Sequence, residues 1–277
     1  MPAISLVVCL YRQRDLMERL LQGAGDCYDE LLVSHDGPDM DDVKSLVEAH
    51  GGRFFERPRV GMWEGHGPSD WGDARHEWIL RLDADEIPSA EMKAWLKEFR
   101  QAAEPPPEVS GYTCIWPMWD GRREVTKKIF TGRIFLFGRQ RVRFFGMGDQ
   151  VPIPDGHYEA RELILHHQPR RKSYGLTNVV LRQQAYRWRA VYARSLLGKP
   201  TDLACWRWTS EAWPEHWEEI RRRPLRTALA RLALGTYRGL RDQWRQERRL
   251  FPLAALANPV HQALICLKYW QLRGRAR

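Results

Sequence analysis

The chain has 277 residues, enough for one large domain or for one domain with an appendage. Its 43% apolar content provides for a sizeable core, and its five cysteines (Cys9, Cys27, Cys114, Cys205, Cys266) lack any CxxC or metal-ligand spacing, which excludes a disulfide scaffold and a zinc ribbon. The net charge of +9 is uneven: residues 1–170 hold 22 Lys and Arg against 28 acids, residues 171–277 hold 22 against 7, so an acidic part suited to a metal or cationic group precedes a basic part suited to phosphates.

The opening "MPAISLVVCLYRQRD" has an apolar run with no basic region before it and no small-residue cleavage site, so no signal peptide is expected. No stretch reaches the roughly 20 apolar residues that span a bilayer. "ISLVVCL" (Ile4–Leu10) is a short β-branched run and predicts a fully buried strand. "RDLMERLLQGAG" follows with Leu16, Leu20 and Leu21 at helical spacing and glycines as a stop. "DELLVSHDG" predicts a second strand, "MDDVKSLVEAHGG" a second helix, "RFFE" a third strand and "WILRL" a fourth. This alternation predicts an α/β domain with a mostly parallel, Rossmann-like sheet. "PSAEMKAWLKEFRQ" predicts a helix capped by Ser89, with Glu91 in its first turn. "EPPPE" (Glu104–Glu108) is a stiff linker, and from Gly111 to about Leu165 strands and hairpins are expected. A helix is expected over about Ser173 to Leu197. After it the basic tail interleaves Arg with Leu, Ala, Tyr and Trp. That pattern suits helices lying in an anionic membrane interface, with a basic helical pair packed on the domain as the alternative.

Ligands of open parallel sheets bind beyond the carboxyl ends of the strands. Three polar clusters fall there: Tyr11-Arg12, His35-Asp36-Gly37 and Asp83-Ala84-Asp85-Glu86. Acids this close repel one another unless something positive sits among them. An Asp-x-Asp at a strand end can place carboxylates on one Mg²⁺ or Mn²⁺, whose shell is then completed by water and the phosphates of a nucleoside diphosphate. The metal would neutralise the charge that grows on a leaving diphosphate.

The order "ISLVVCLYRQRDLMERLL", "ELLVSHDGPDMDDV" and "WILRLDADEIP" resembles the family 2 glycosyltransferases of GT-A fold, most of all the bacterial lipopolysaccharide-core glucosyltransferase-like members. "LDADE" resembles their metal motif, and "SHDGPDMDD" their strand-end segment Asp-Asp-Gly-Ser-x-Asp-x-Thr. "TGRIFLFGRQRVRFFGMGDQVP" resembles their acceptor-side segment, and "LILHHQ" a Leu-x-His placed shortly after it. The basic tail resembles membrane-associating C-termini of some relatives. Two departures stand out. The Arg-Asn pair usual before the Asp-x-Asp strand is absent from "WEGHGPSDWGDARHEW", and Gly-x-His-Glu becomes Gly146-Met147-Gly148-Asp149.

The resemblance implies a GT-A domain over residues 1–200, with a donor and metal half (1–104) and an acceptor half (108–200), followed by a basic helical extension over 201–277. It implies a metal-dependent inverting enzyme that moves a sugar from a UDP-linked donor to a hydroxyl of a bacterial glycan or lipid-linked acceptor such as lipopolysaccharide core. Such an enzyme would sit in the cytoplasm at the inner face of the membrane, with no nucleic acid as partner. Tyr11, Arg12 and Asp36 would hold the nucleotide. Asp83 and Asp85 would take the ribose and the metal between them, with Glu86 supporting them. His166 or His167 would be a third metal ligand or diphosphate contact. Inverting transfer needs a base, and Asp149 is the first candidate, with Asp155 and Glu159 in the same region. Arg133, Arg141, Arg143, Arg170, Arg171 and Lys172 could hold phosphates, although each taken singly reads as a solvated surface charge. Two other functions fit parts of the pattern. A nucleotidyltransferase shares the carboxylate chemistry, but "CLYRQRD" lacks the expected Gly-rich loop. A non-enzymatic membrane- or nucleic-acid-binding module fits the tail and leaves the acid cluster unexplained.

Overall fold

The computed structural model describes the chain except residues 62–64, 127–131, 144–151, 172–188, 190–192, 194–195, 198–214 and 275–277, and the side chains of 215–217. It divides into two compact units, Met1–Arg171 and Lys172–Arg277.

The first unit is built on an eight-stranded sheet in the order β3-β2-β1-β4-β7-β6-β10-β5. Strands β1 (Ile4–Leu10), β2 (Glu30–Asp36), β3 (Arg53–Arg57) and β4 (Trp78–Leu82) pair in parallel. Strand β7 (Arg133–Gly138) runs antiparallel to both β4 and β6 (Val109–Ile115), and β10 (His157–His167) is parallel to β6. The short β5 (Glu86–Pro88) closes the edge antiparallel to β10, with His167 opposite Glu86. Two short strands, β8 (Val142–Arg143) and β9 (Ile153–Pro154), form a separate ribbon. The expected α/β class and the four expected parallel strands are therefore present.

Each face of the sheet carries a core because alternate side chains of one strand point to opposite faces. Leu6 and Val8 of β1 pack with Leu16, Met17 and Leu20 of helix α1 (Arg14–Ala24) and with Leu96 of α4 (Ala90–Gln101). Val7 faces the other way, toward Leu32, Ile79, Phe137 and Trp71. Trp71 lies on α3 (Gly67–Asp73) and meets the Phe137 ring edge-on at 4.8 Å. This short helix lies within the segment that lacks the Arg-Asn pair. Pro68 in its first turn and the buried Trp71 fix it there. Helix α2 (Val43–Ala49) lies between β2 and β3.

Polar groups hold the joints. Ser89 caps α4 by accepting from the Met92 backbone N–H at 3.1 Å. Arg141 donates to the carbonyls of Pro105, Pro106 and Val109 and to Glu104, which staples the proline linker to the sheet. At Gly111 no side chain fits, since a Cβ would lie 2.4 Å from the Leu136 carbonyl oxygen of the neighbouring strand.

The second unit contains α5 (Glu215–Arg222), α6 (Pro224–Glu247) and α7 (Pro252–Gly274), the last two forming a hairpin. Among the described residues no helix is long and apolar enough to cross a membrane. The helix expected over 173–197 lies largely outside the described residues.

Candidate active site

The carboxyl ends of β1, β2, β4 and β10 share one edge of the sheet, because β6 and β10 run parallel to β4 through the antiparallel β7. Tyr11-Arg12, His35-Asp36, Asp83 and His166-His167 are all delivered to that edge.

The β1 and β2 ends bring rings and fixed charge together. The Arg59 guanidinium lies 3.1 Å from the Tyr11 ring centroid, and the His35 ring is 5.7 Å from the same ring. His35 is buried; its Nδ1–H donates to the Gly37 carbonyl at 2.7 Å, and its Nε2 accepts a long bond of 3.4 Å from the Arg12 backbone N–H. Gly37 has φ of 104°, a conformation that favours glycine and turns the chain sharply away from β2. Asp36 is also buried, and both of its oxygens are engaged. Val60 N–H and His66 Nε2–H donate to Oδ1 at 2.5 and 2.9 Å, and Gly61 N–H donates to Oδ2 at 2.8 Å. Burial alone would raise the Asp36 pKa, but the bonds from His66, Val60 and Gly61 outweigh it and hold the carboxyl below its usual range. Asp36 thus ties Val60, Gly61 and His66 to the end of β2.

The acidic tripeptide is resolved by two guanidinium groups. Glu86 is fully buried and takes a bidentate fork from Arg133, with Nε at 2.9 Å from Oε1 and Nη2 at 2.7 Å from Oε2. The Asp83 backbone N–H donates to the same Glu86 carboxylate at 2.8 Å. Asp83 sits 3.5 Å from both Arg81 and Arg133, with its side chain 37% exposed. Enclosure would raise the Asp83 pKa, but the charges of Arg81, Arg133 and His167 overcome that and lower it. The same acids raise the pKa of Arg133 against the opposing effect of its burial. Arg133, read singly as a solvated surface charge, is therefore largely enclosed, its side chain only 12% exposed, because the acid knot needs a counter-charge inside the fold. Arg81 was missed altogether. A lone Arg inside the apolar strand "WILRL" was the signal that could have found it.

Asp85 faces His167, with Oδ2 and Nε2 3.5 Å apart. The His167 ring stacks on Trp116 at 3.9 Å and 18°. Its Nδ1 is buried with no hydrogen-bond partner among the described residues. His166 points elsewhere, to Glu124 at 2.7 Å, and that bond, opposed by partial burial, raises the His166 pKa. Of the two histidines expected near the metal, His167 is the one beside the tripeptide. The Asp85–His167 pair fits a divalent ion: a carboxylate oxygen and an imidazole nitrogen at this separation can share one coordination sphere. Asp83 and Glu86 are turned to arginines instead.

The remaining candidates are dispersed. Asp155 pairs with Arg143 at 3.0 Å and Glu159 with Arg161 at 2.5 Å. Glu159 stands near the start of β10, eight residues before His167, which is about 25 Å along an extended strand. The structure thus places Asp155 and Glu159 toward the opposite edge of the sheet from Asp85. Asp149 and Lys172 lie outside the described residues. Arg170 pairs with Asp15 and donates to the Arg12 carbonyl, so the turn after β10 is tied to the start of α1. A cluster not anticipated from sequence, His35, Asp39 and Asp41, brings three possible ligand atoms within 4.8 Å of one another. Asp39 is already occupied there by the backbone N–H groups of Val43 and Lys44, as a cap for α2.

No family model matches the chain, and no curated protein matches it. Solved structures do. A mannosyltransferase from Pyrobaculum calidifontis in complex with GDP-Man and Mn²⁺ aligns with a TM-score of 0.49 at 16% identity, over 97% of this chain and 87% of that one. Residues 1–349 of S. aureus TarS align with a TM-score of 0.44 at 12% identity, over 99% and 92%. A mycobacterial protein aligns with a TM-score of 0.45 at 17% identity, over 73% and 76%.

Proposed function

We propose that this protein is a metal-dependent glycosyltransferase that binds a nucleotide-sugar at the carboxyl edge of its sheet and transfers the sugar, with inversion, to a hydroxyl of a glycan or lipid-linked acceptor. One observation carries the reading: the tripeptide is electrostatically divided. Asp83 and Glu86 are neutralised by Arg81 and Arg133, while Asp85 is left facing His167.

This division assigns separate tasks. Asp85 and His167 would hold Mn²⁺ or Mg²⁺, which when bound supplies positive charge to the donor's diphosphate. Asp83, held ionised by the two arginines, accepts hydrogen bonds from the ribose hydroxyls. The fork of Arg133 on Glu86 fixes the backbone between Asp83 and Glu86, so Asp85 is set before any ligand arrives. Tyr11, backed by Arg59, offers a flat face on which the nucleotide base can stack. Asp36 fixes the loop that borders this face. A carboxylate then takes the acceptor hydroxyl's proton as its oxygen attacks the anomeric carbon, and Asp149 is assigned that task.

The test is donor binding and sugar transfer with a panel of UDP- and GDP-sugars, with and without chelator. Asp85→Ala is expected to abolish metal-dependent donor binding in a protein that still folds. Tyr11→Ala is expected to weaken nucleotide binding about ten- to a hundred-fold, from loss of a stacking face. Full transfer activity in Asp85→Ala would overturn the reading. Release of pyrophosphate from a nucleoside triphosphate would instead establish a nucleotidyltransferase.

A further inference from the structure

The α6–α7 hairpin leaves many large apolar side chains exposed. Small residues let its two helices approach closely at two points. A Cβ added to Gly239 would lie 3.2 Å from the Ala255 Cβ, and one added to Gly235 would lie 3.0 Å from Pro259. Ala228 of α6 and Ala254, Ala257 and Ala263 of α7 are buried. Gln243 bridges the turn, its side chain bonding both the N–H and the carbonyl of Phe251. Ile265, Cys266 and Tyr269 of α7 are buried, as in an ordinary helical unit. A second set of large apolar groups on the hairpin is left outside: Leu229 is 70% exposed, Tyr237 63%, Trp244 52% and Trp270 51%.

These exposed groups are ordered. Leu225, Leu229 and Leu232 follow a four-then-three spacing and form one stripe along α6. Tyr237 and Trp244, seven residues apart, form the adjoining flank, and Arg226 lies three turns before Tyr237 on that flank. Arg238 and Arg245, also seven apart and exposed, run along the polar side. At the open end, a cleft of about 620 Å³ is walled by Leu225 and Trp270 and rimmed by Arg223, Arg226 and Arg273. Between Pro224 and Gly274 the sequence has nine Lys and Arg and two acids, Asp242 and Glu247.

We infer that the α6–α7 hairpin is a membrane-surface anchor: its Leu, Tyr and Trp face inserts into the headgroup boundary of an anionic bilayer while its arginines bind lipid phosphates. A row of exposed Leu, Tyr and Trp beside arginines is the pattern of a helix that lies at a membrane surface. Tyr and Trp prefer the headgroup level, where one end of the ring is wet and the other apolar. The dense positive charge is complementary to an anionic leaflet. Because neither helix is long and apolar enough to span, the hairpin lies in the interface. The inference is independent of the donor chemistry of the first unit.

The test is flotation of the full chain with vesicles of phosphatidylcholine alone and of phosphatidylglycerol with phosphatidylcholine. The protein should float with the anionic vesicles, and less so as salt is raised. Arg226→Ala, Arg238→Ala and Arg245→Ala should each weaken partition about five-fold. Leu229→Glu with Leu232→Glu should weaken it at least about ten-fold, and donor binding should be unchanged. If that pair fails to fold, Tyr237→Ala with Trp244→Ala, which removes only exposed rings, carries the same expectation. A wild-type chain that ignores anionic vesicles would overturn the inference, as would apolar-face variants that float like wild type. A dimer by light scattering that Leu229→Glu with Leu232→Glu converts to monomer, with no flotation of either, would assign the face to a second copy of the chain.

Discussion

At the scale of single residues, the central device is a largely enclosed guanidinium that makes an acid knot tolerable. Glu86 is fully enclosed, and its charge is answered by the Arg133 fork. Removing one partner of a buried pair leaves the other charge stranded, at a cost of about 3–5 kcal/mol. Arg133→Ala should therefore lower the stability of the first unit by about that amount in urea unfolding, and Arg133→Lys should restore only part of it, because lysine cannot form the two-pronged contact. Unchanged stability in Arg133→Ala would contradict this account of the pair. The acids at this site were legible in the sequence, since three carboxylates after an apolar strand are conspicuous. Their counter-charges were not. Arg133 is far along the chain, and only the pairing of β4 with β7 and of β5 with β10 brings it to Glu86. The two adjacent histidines illustrate the same limit. Neighbours on a strand face opposite ways, so one of His166 and His167 had to turn from Asp85. The register with β5, set by Glu86 opposite His167, decides which.

At the scale of elements, local signals served where one segment decides its own structure. Ser89 was readable as a cap because its hydroxyl needs nothing distant, and Ser89→Ala should cost about 1 kcal/mol by losing the bond to Met92 N–H. Parallel strands were readable from unbroken apolar runs buried on both faces. Helix α3 was not, because its reason for existing is Trp71 packing on Phe137 from a strand more than sixty residues later. The hairpin was half legible: the basic and apolar interleaving shows in the sequence, but the close approach at Gly235 and Gly239 appears only when α6 and α7 are paired. Gly239→Leu should force the two helices apart and destabilise the second unit by about 1–3 kcal/mol. Thermal unfolding of the variant measures this, and an unaltered midpoint would mean the helices do not pack at Gly239.

At the scale of the whole molecule, the charge asymmetry of the sequence corresponds to two compact units, an acidic α/β unit and a basic helical one. They should also respond differently to acid. His261 is buried in the second unit; burial, with the Arg189 charge as a smaller contribution, lowers its pKa from 6.5 to about 4. The folded unit therefore keeps this imidazole neutral while the unfolded chain takes up a proton below pH 6.5. Its contribution is complete above pH 6.5 and is lost as the pH falls toward 4, by about 3 kcal/mol in all. Unfolding of the second unit should show that slope in wild type and lose it in His261→Gln. A slope that persists in His261→Gln would assign it to another group. Within the first unit, the claim on which the rest depends is that Asp85 and His167 hold a divalent ion that engages a nucleotide-sugar's diphosphate. Titration calorimetry of UDP- and GDP-sugars with Mn²⁺ tests it most directly, comparing wild type with Asp85→Ala and His167→Ala. The account predicts binding to wild type that chelator abolishes and that both variants lose. Undiminished, chelator-insensitive binding in either variant would contradict it.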